Sequence, residues 1–163
     1  MAKPVEIDYL YLDLDTCDRC IGTDQALEEV INQVAPALAL AGYAVAYRKI
    51  EISTAQLAAE YRFLSSPTIR VNGQDICGAV KETDCACCGG ISGTPVDCRV
   101  FEYEGETYET PPKAMLAEAI LRGAFAPAPM PDSGCYALPE NLKTFFRGKA
   151  EKRAACSCKS GCC

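Results

Sequence analysis

Cysteine is the residue type best placed to do chemistry in this sequence, and its spacing is uneven. Twelve of the 163 residues are cysteine, whereas histidine and tryptophan are absent. Without histidine the chain cannot form a Cys–His nucleophile pair or a mixed Cys/His zinc site, so thiolates must work with carboxylates and lysines. The cysteines form three groups and one isolated residue: Cys17 and Cys20; Cys77, Cys85, Cys87, Cys88 and Cys98; Cys135; and Cys156, Cys158, Cys162 and Cys163.

The first group is a C-x-x-C motif, Cys17 to Cys20, which follows an apolar strand and precedes a helix. Two cysteines at this spacing can close a disulfide or share a soft ion. A helix N-terminus lowers the pKa of a thiol and supplies thiolate at neutral pH. The nearby charges oppose one another, since Arg19 favours a thiolate while Asp15 and Asp18 disfavour it. The alternative is that both cysteines are small buried hydrophobic residues.

The second group lies in a Cys- and Gly-rich insertion with little periodicity, residues 77–98. Four thiolates from its five cysteines could close a tetrahedral zinc site, although the spacing is not that of paired C-x-x-C knuckles. The adjacent Cys87 and Cys88 could instead bind one thiophilic ion such as Hg(II) or As(III), or resolve a disulfide formed at the first motif. A structural disulfide between Cys77 and Cys98 is the alternative. The metal ligands predicted in this insertion are Cys85, Cys87 and Cys88.

The last group lies in a lysine-containing tail without aromatic residues. C-x-C and C-C doublets of this kind resemble metallothionein, whose thiolates wrap soft cations. The terminal Gly-Cys-Cys is also similar to the mobile dithiols of large thioredoxin reductases and mercuric reductases, which carry electrons or metal to a buried centre. The tail is therefore predicted to bind metal or to relay thiols, and a solvated tail with incidental thiols is the alternative. The metal ligands predicted here are Cys156, Cys158, Cys162 and Cys163.

The elements that must position these thiols follow from hydrophobic periodicity. The segment Val5–Leu14 is apolar on both faces, as a central strand of an α/β sheet should be. A helix is expected next, with Thr23 as its N-cap and Gly42 after its end, and with Pro36 kinking it. The later predicted elements are a strand over 43–52, a helix capped by Ser53, a hairpin turning at Asn72-Gly73, a second hairpin turning near Glu104-Gly105, and a helix capped by Thr110.

This β-α-β-α-β-β-α order, with C-x-x-C after the first strand and Pro67-Thr68-Ile69-Arg70-Val71 opening the third, resembles the thioredoxin/glutaredoxin superfamily over residues 5–122. The whole chain also resembles a thioredoxin-like family known mainly as a domain of unknown function, here with a Cys-rich insertion and tail. The resemblance implies an α/β, thioredoxin-like three-layer fold with a central mixed sheet and flanking helices. It also implies that Cys17 attacks, that Cys20 resolves, and that Pro67 is cis and lies against the dithiol.

Composition divides the chain further. The predicted parts are a thioredoxin-like domain over residues 1–125 that includes the 77–98 insertion, a Pro-rich linker over 126–132, a docking segment over 133–149 and a flexible Cys-rich tail over 150–163. Within the docking segment, Leu138, Leu142, Phe145 and Phe146 indicate a short amphipathic helix that packs on an apolar surface. If that surface belongs to another subunit, the protein is an interaction module, which is the third hypothesis for its function.

Charge and composition exclude several classes of protein. The chain has 16 basic and 22 acidic side chains, a net charge of −6, and no basic block, which disfavours nucleic acid as a partner. No apolar run is long enough to span a membrane, and the N-terminus has acids where a signal peptide needs an apolar core. A cytoplasmic location, where thiols stay reduced, is therefore expected. No nucleotide-binding glycine motif is present.

The function expected first is thiol–disulfide exchange through Cys17 and Cys20, with Pro67 holding the partner backbone and the tail relaying thiols. The second hypothesis is a protein that binds or hands on a soft metal or metalloid, such as Hg, As, Cu(I), Zn or Cd. The two are compatible, because a dithiol that acts on a thiophilic species must also bind it. The expected partners are a redox partner protein or a thiophilic metal or metalloid, and a homodimer is a further expectation.

Overall fold

The chain folds as a mixed α/β protein. A computed structural model describes residues 1–130 and 132–159, with side chains described as far as Ala155. Over these residues the elements are β1 (Lys3–Tyr11), α1 (Asp18–Leu40), β2 (Tyr43–Glu51), α2 (Ala55–Glu60), β3 (Thr68–Val71), β4 (Gln74–Asp75), β5 (Lys81–Asp84), α3 (Ala86–Ser92), β6 (Asp97–Tyr103), β7 (Glu106–Tyr108), α4 (Lys113–Phe125) and α5 (Glu140–Lys159). A mixed sheet with helices agrees with the expected thioredoxin-like fold. None of the described helices combines the length and apolarity needed to cross a membrane.

The main sheet has the strand order β2-β1-β3-β4. Strand β1 runs parallel to β2 and antiparallel to β3, with Ile7 opposite Val71. Because β1 has a strand on each side and packing on each face, Ile7, Tyr9 and Leu10 are all fully buried. The prediction of a central first strand is confirmed, although the strand covers Lys3–Tyr11 instead of Val5–Leu14.

Side chains of β1 enter two separate clusters of the core. Val5, Ile7 and Tyr9 pack in the first cluster, with apolar residues of α1 and α4. Leu10 and the following Leu12 pack in the second, together with five buried cysteines. The end of β1 therefore leads directly into the part of the core where the thiols lie.

Both predicted hairpin turns are present. Asn72 and Gly73 have φ values of +51° and +81°, and Glu104 and Gly105 have φ values of +51° and +84°. Two consecutive residues with positive φ are the mark of the tight turn that suits the twist of a two-stranded hairpin. The first turn joins β3 to β4, and the second joins β6 to β7.

Helix α1 begins earlier than the sequence predicted. Cys17 is its N-cap and Asp18 its first residue, so Thr23 lies buried inside the helix instead of capping it. Burial of Cys17 and Cys20 in the second core cluster holds this first turn in place and outweighs the capping preference of threonine. The helix contains Pro36 and continues to Leu40.

The insertion is more ordered than its lack of periodicity suggested. Residues 77–98 include β5 and α3, and β5 pairs with β6 in a second sheet of order β5-β6-β7. Cys77 and Cys98 are free thiols that pack in different core clusters, so the structural disulfide considered between them is not formed.

Helix α5 extends into the segment that was expected to be flexible. It starts at Glu140, as the sequence indicated, and continues to Lys159, past the predicted start of the tail at residue 150. Leu142 and Phe145 are fully buried in the second core cluster, and Lys152 Nζ donates a 2.6 Å hydrogen bond to the Gly90 carbonyl of α3. These contacts anchor α5 to the insertion. Cys162 and Cys163 lie outside the described residues, as do the side chains of Cys156 and Cys158.

Candidate thiol site

Four cysteines from three separate segments meet in the second core cluster. Their Sγ atoms all lie within 4.8 Å of one another, and all four residues are buried. We name this set, Cys17, Cys85, Cys88 and Cys98, the four-thiol cluster. Cys17 is the N-cap of α1, Cys85 is the N-cap of α3, Cys88 lies in the first turn of α3, and Cys98 lies on β6.

The distances within the four-thiol cluster suit a shared ion. The Sγ atoms of Cys88 and Cys98 are 3.3 Å apart, and those of Cys17 and Cys88 are 3.9 Å apart. Zinc–sulfur bonds of about 2.3 Å at tetrahedral angles place neighbouring sulfurs about 3.8 Å apart. A disulfide bond is much shorter, at about 2.05 Å. The four sulfurs therefore have the spacing of ligands around one ion, and they are free thiols.

Local backbone structure explains how the insertion delivers three of these thiols. Strands β5 and β6 pair up to Asp84 and Asp97, and the Cys85 N–H then donates to the Val96 carbonyl at 2.9 Å. The short helix α3 starts at that point, and its first turn places Cys88 close to Cys85, the N-cap of the helix. Gly93 ends α3 with a φ of +73°, a left-handed conformation that glycine adopts without strain.

Arg19 joins the N-terminus of α1 to the insertion. Its guanidinium donates to the carbonyl of Asp84 at 2.8 Å and to that of Cys98 at 3.3 Å, and it forms an ion pair with Glu109 at 2.7 Å. The side chain that was expected to favour the Cys17 thiolate thus makes its contacts with backbone carbonyls and a carboxylate. Its role in the structure is to hold the C-x-x-C segment against β6.

Arg99 anchors the strand that carries Cys98. Its side chain is 1% exposed, forms an ion pair with Asp75 at 2.7 Å and donates to Thr68 Oγ1 at 3.1 Å. Its backbone N–H donates to the Ser66 carbonyl at 2.7 Å. Successive residues of a strand point to opposite faces, so fixing Arg99 on one face directs Cys98 to the other, where the four-thiol cluster lies.

Cys20 is a fifth buried thiol beside the four-thiol cluster. It is fully buried, its Sγ lies 3.5 Å from Ser66 Oγ, and its carbonyl accepts a 2.6 Å hydrogen bond from Tyr9 Oη. The peptide bond between Ser66 and Pro67 is cis, as the resemblance implied. Through Ser66, the loop that carries Pro67 lies against the second cysteine of the C-x-x-C motif.

The thiols differ in acidity. Hydrogen bonds lower the pKa of Cys17 well below its ordinary value; the largest contribution comes from Cys20, and the other three thiols of the cluster add to it. Hydrogen bonding to Cys17 raises the pKa of Cys20, Cys88 and Cys98, with burial adding to the effect. The contact with Cys17 also raises the pKa of Cys85, but hydrogen bonds from Cys88 and Cys98 outweigh it and the pKa falls to about 7. These shifts favour the thiolate at Cys17 and the protonated thiol at Cys20, Cys88 and Cys98.

The structure separates the predicted metal ligands. Cys85 and Cys88 belong to the four-thiol cluster, whereas Cys87 is half-buried with its Sγ 4.0 Å from Asp18 Oδ2. The sequence linked Cys87 and Cys88 to the C-x-x-C motif only as possible resolving thiols, and it did not place Cys17 in one metal site with the cysteines of the insertion. Cys17 and Cys88 are 71 positions apart in the chain, and the spacing of residues carries no signal over such a distance.

Comparison with known proteins gives one family. A family model described as "Domain of unknown function (DUF2703)" matches residues 5–120, a range that contains all four members of the four-thiol cluster. No curated protein and no solved structure matches the chain.

Proposed function

We propose that the four-thiol cluster of this chain, a member of the DUF2703 family, binds one thiophilic metal ion. The observation that carries the proposal is the convergence of four buried Sγ atoms, within 4.8 Å of one another, from α1, α3 and β6. Free cysteines are often buried as small hydrophobic residues, but four with sulfurs in mutual contact form a ready set of soft ligands.

The donor set indicates the class of ion. All four donors are thiols, with no carboxylate or imidazole among them, so hard cations such as Mg²⁺ and Ca²⁺ are disfavoured. Four sulfurs in a closed, buried arrangement match the coordination number of zinc in structural sites, and cadmium is a close chemical substitute. A divalent ion held by four thiolates leaves a net charge of −2, which the N-terminus of the 23-residue helix α1 at Cys17 stabilises.

Thiol–disulfide exchange through Cys17 and Cys20 is the second candidate function. The lowered pKa of Cys17, and its position as N-cap of α1 three residues before Cys20, support it. Its difficulty is access, because both cysteines are fully buried and three cysteines of the insertion surround Cys17. A partner disulfide could reach Cys17 only after α3 has moved. A metal site, by contrast, can stay closed while the ion is bound.

The test uses the full chain with its four tail cysteines replaced by serine, so that the tail binds no metal. In this background, zinc affinity is measured without oxygen, by competition with a chromophoric chelator, for the parent and for Cys98→Ser, Cys20→Ser and Cys77→Ser. The parent should bind one zinc per chain. Cys98→Ser should weaken binding by more than about 100-fold, since it removes a ligand and even outer partners of ligands are worth about 10–100-fold.

Cys77→Ser is the matched control, because Cys77 is a partly buried free thiol of the same insertion that packs in the other core cluster. It should bind zinc like the parent. Cys20→Ser separates the two candidate functions: it should keep zinc binding but abolish reduction of a disulfide peptide, which needs a resolving thiol. Equal zinc affinity in Cys98→Ser and the parent would refute the metal site.

A further inference from the structure

Cys17 belongs to two chemical sets at once. It is one of the four thiols that surround the candidate ion position, and it is also the first cysteine of the C-x-x-C motif. Its partner in that motif, Cys20, is fully buried in the same core cluster but lies outside the four-thiol cluster. Ion binding alone therefore does not use Cys20 as a ligand.

We propose that a disulfide between Cys17 and Cys20 competes with ion binding, so that the C-x-x-C motif is a redox switch on the ion site. This inference rests on the proposed metal-binding function and adds its regulation. A sulfur that is bonded to Cys20 is no longer a thiolate ligand. Oxidation thus leaves the ion with three thiols, and a bound ion in turn protects Cys17 from oxidation.

The geometry of α1 permits this bond. Cys17 is the N-cap and Cys20 the third residue of the helix. Side chains three positions apart on a helix are neighbours, with Cβ atoms about 5–6 Å apart, so a small adjustment of the first turn closes the bridge. Ser66 Oγ, 3.5 Å from Cys20 Sγ, is a neutral neighbour that can donate a hydrogen bond to the sulfur in either redox state.

A small disulfide such as oxidised glutathione is the oxidant that converts the two thiols to a disulfide. In the ion-free site, once α3 has moved away from Cys17, the Cys17 thiolate attacks one glutathione sulfur, the glutathione S–S bond breaks, and one glutathione thiolate leaves and takes up a proton from solvent. Cys20 then loses its proton and attacks Cys17 Sγ, which displaces the second glutathione thiolate. The second glutathione thiolate takes up the proton that Cys20 released. In sum, one protein thiolate, one protein thiol, one glutathione disulfide and one proton become one protein disulfide and two glutathione thiols. In a loaded protein, the ion must leave the cluster for solution before these steps begin.

Linkage sets the size of the effect. If the loss of Cys17 weakens ion binding by about 100-fold, a saturating ion must favour the reduced motif by the same factor. For a two-electron couple, tenfold corresponds to about 30 mV, so the midpoint potential of the Cys17–Cys20 couple should rise by about 60 mV in saturating zinc.

The experiment uses the full chain with its tail cysteines replaced by serine. The protein is equilibrated in glutathione redox mixtures, with free zinc either absent or fixed by a chelating buffer. Alkylation followed by peptide mass analysis identifies the disulfide, and native mass spectrometry counts the bound zinc. At free zinc between the dissociation constants of the reduced and oxidised sites, we expect a Cys17–Cys20 disulfide with loss of zinc. At free zinc that saturates both sites, we expect a midpoint about 60 mV higher than without zinc.

Cys20→Ser and Cys20→Ala should keep their zinc at glutathione ratios that empty the parent, whereas Cys77→Ser should respond like the parent. A Cys17–Cys20 disulfide with unchanged zinc affinity would overturn the switch while leaving the metal site intact. Zinc loss accompanied by a Cys88–Cys98 disulfide would also overturn it. Reduced parent protein that binds no zinc would refute the proposed function itself, and the switch with it.

Discussion

Gly148 offers a way to disturb the four-thiol cluster without touching a cysteine. It lies where α5 meets the C-terminal end of α3. A Cβ at this position would stand 2.4 Å from the Ser92 carbonyl oxygen and 2.9 Å from Thr94 Oγ1. Ordinary van der Waals contact begins at 3.4 Å, so Gly148→Ala must separate the two helices by about 1 Å.

The expected loss of stability combines two opposing effects. Overpacking against a fixed backbone atom costs about 1–3 kcal/mol. Alanine favours a helix over glycine by about 1 kcal/mol, so the net free energy of unfolding should fall by about 1 kcal/mol. Because α3 carries Cys88 and is capped by Cys85, displacement of α5 should also open the cluster to solvent.

The assay combines urea unfolding with the rate of thiol alkylation in ion-free protein, resolved cysteine by cysteine through peptide mass analysis. Gly123→Ala is the matched control, since a Cβ there would stand 2.4 Å from Val71 Cγ1, in the first core cluster and away from the thiols. Both variants should lose stability, but only Gly148→Ala should speed the labelling of Cys88. Labelling at the parent rate in Gly148→Ala would show that α5 does not cover the site.

Three further predictions concern the anchors and protons of the site. Arg99→Leu should lower the free energy of unfolding by about 2–3 kcal/mol. This is less than the loss of about 3–5 kcal/mol typical when a fully buried ion pair is broken, because Asp75 is 29% exposed. A urea midpoint equal to that of the parent would contradict this prediction. Phe145→Ala should cost about 3–5 kcal/mol by the same measurement, while Phe125→Ala, at a residue 60% exposed, should cost far less. Zinc binding at pH 7 should release between about two and three protons, because the lowered pKa of Cys17 favours its thiolate while raised pKa values keep Cys88 and Cys98 protonated. Zinc affinity should therefore rise with pH. Calorimetry in buffers of different ionisation enthalpy measures the number of protons released, and release of four would contradict the lowered pKa of Cys17.

Local patterns were sufficient to predict much of the fold. The apolar run of β1 identified a central strand, and Asn72-Gly73 and Glu104-Gly105 identified two hairpin turns, because each of these features depends on neighbouring residues. The start of α1 was predicted wrongly at Thr23, since burial of Cys17 and Cys20 extends the helix towards the motif, and a sequence pattern does not show that burial.

The candidate site was predictable only in part. The sequence singled out the C-x-x-C motif and the cysteines of the insertion, but it did not combine them in one metal site. Their meeting depends on the pairing of β5 with β6 and on the contacts of Arg19 with the insertion, both of which join residues far apart in the chain. Cys87 illustrates the limit, since it is adjacent in sequence to Cys88, a member of the four-thiol cluster, and yet lies outside that cluster.

X-ray absorption at the zinc edge tests the metal site most directly. The sample is the full chain with its tail cysteines replaced by serine, reduced and loaded with one equivalent of zinc. Four sulfur scatterers at about 2.3 Å are expected, falling to three in Cys98→Ser. A parent spectrum dominated by oxygen or nitrogen scatterers, or with fewer than four sulfurs, would contradict ion binding by the four-thiol cluster.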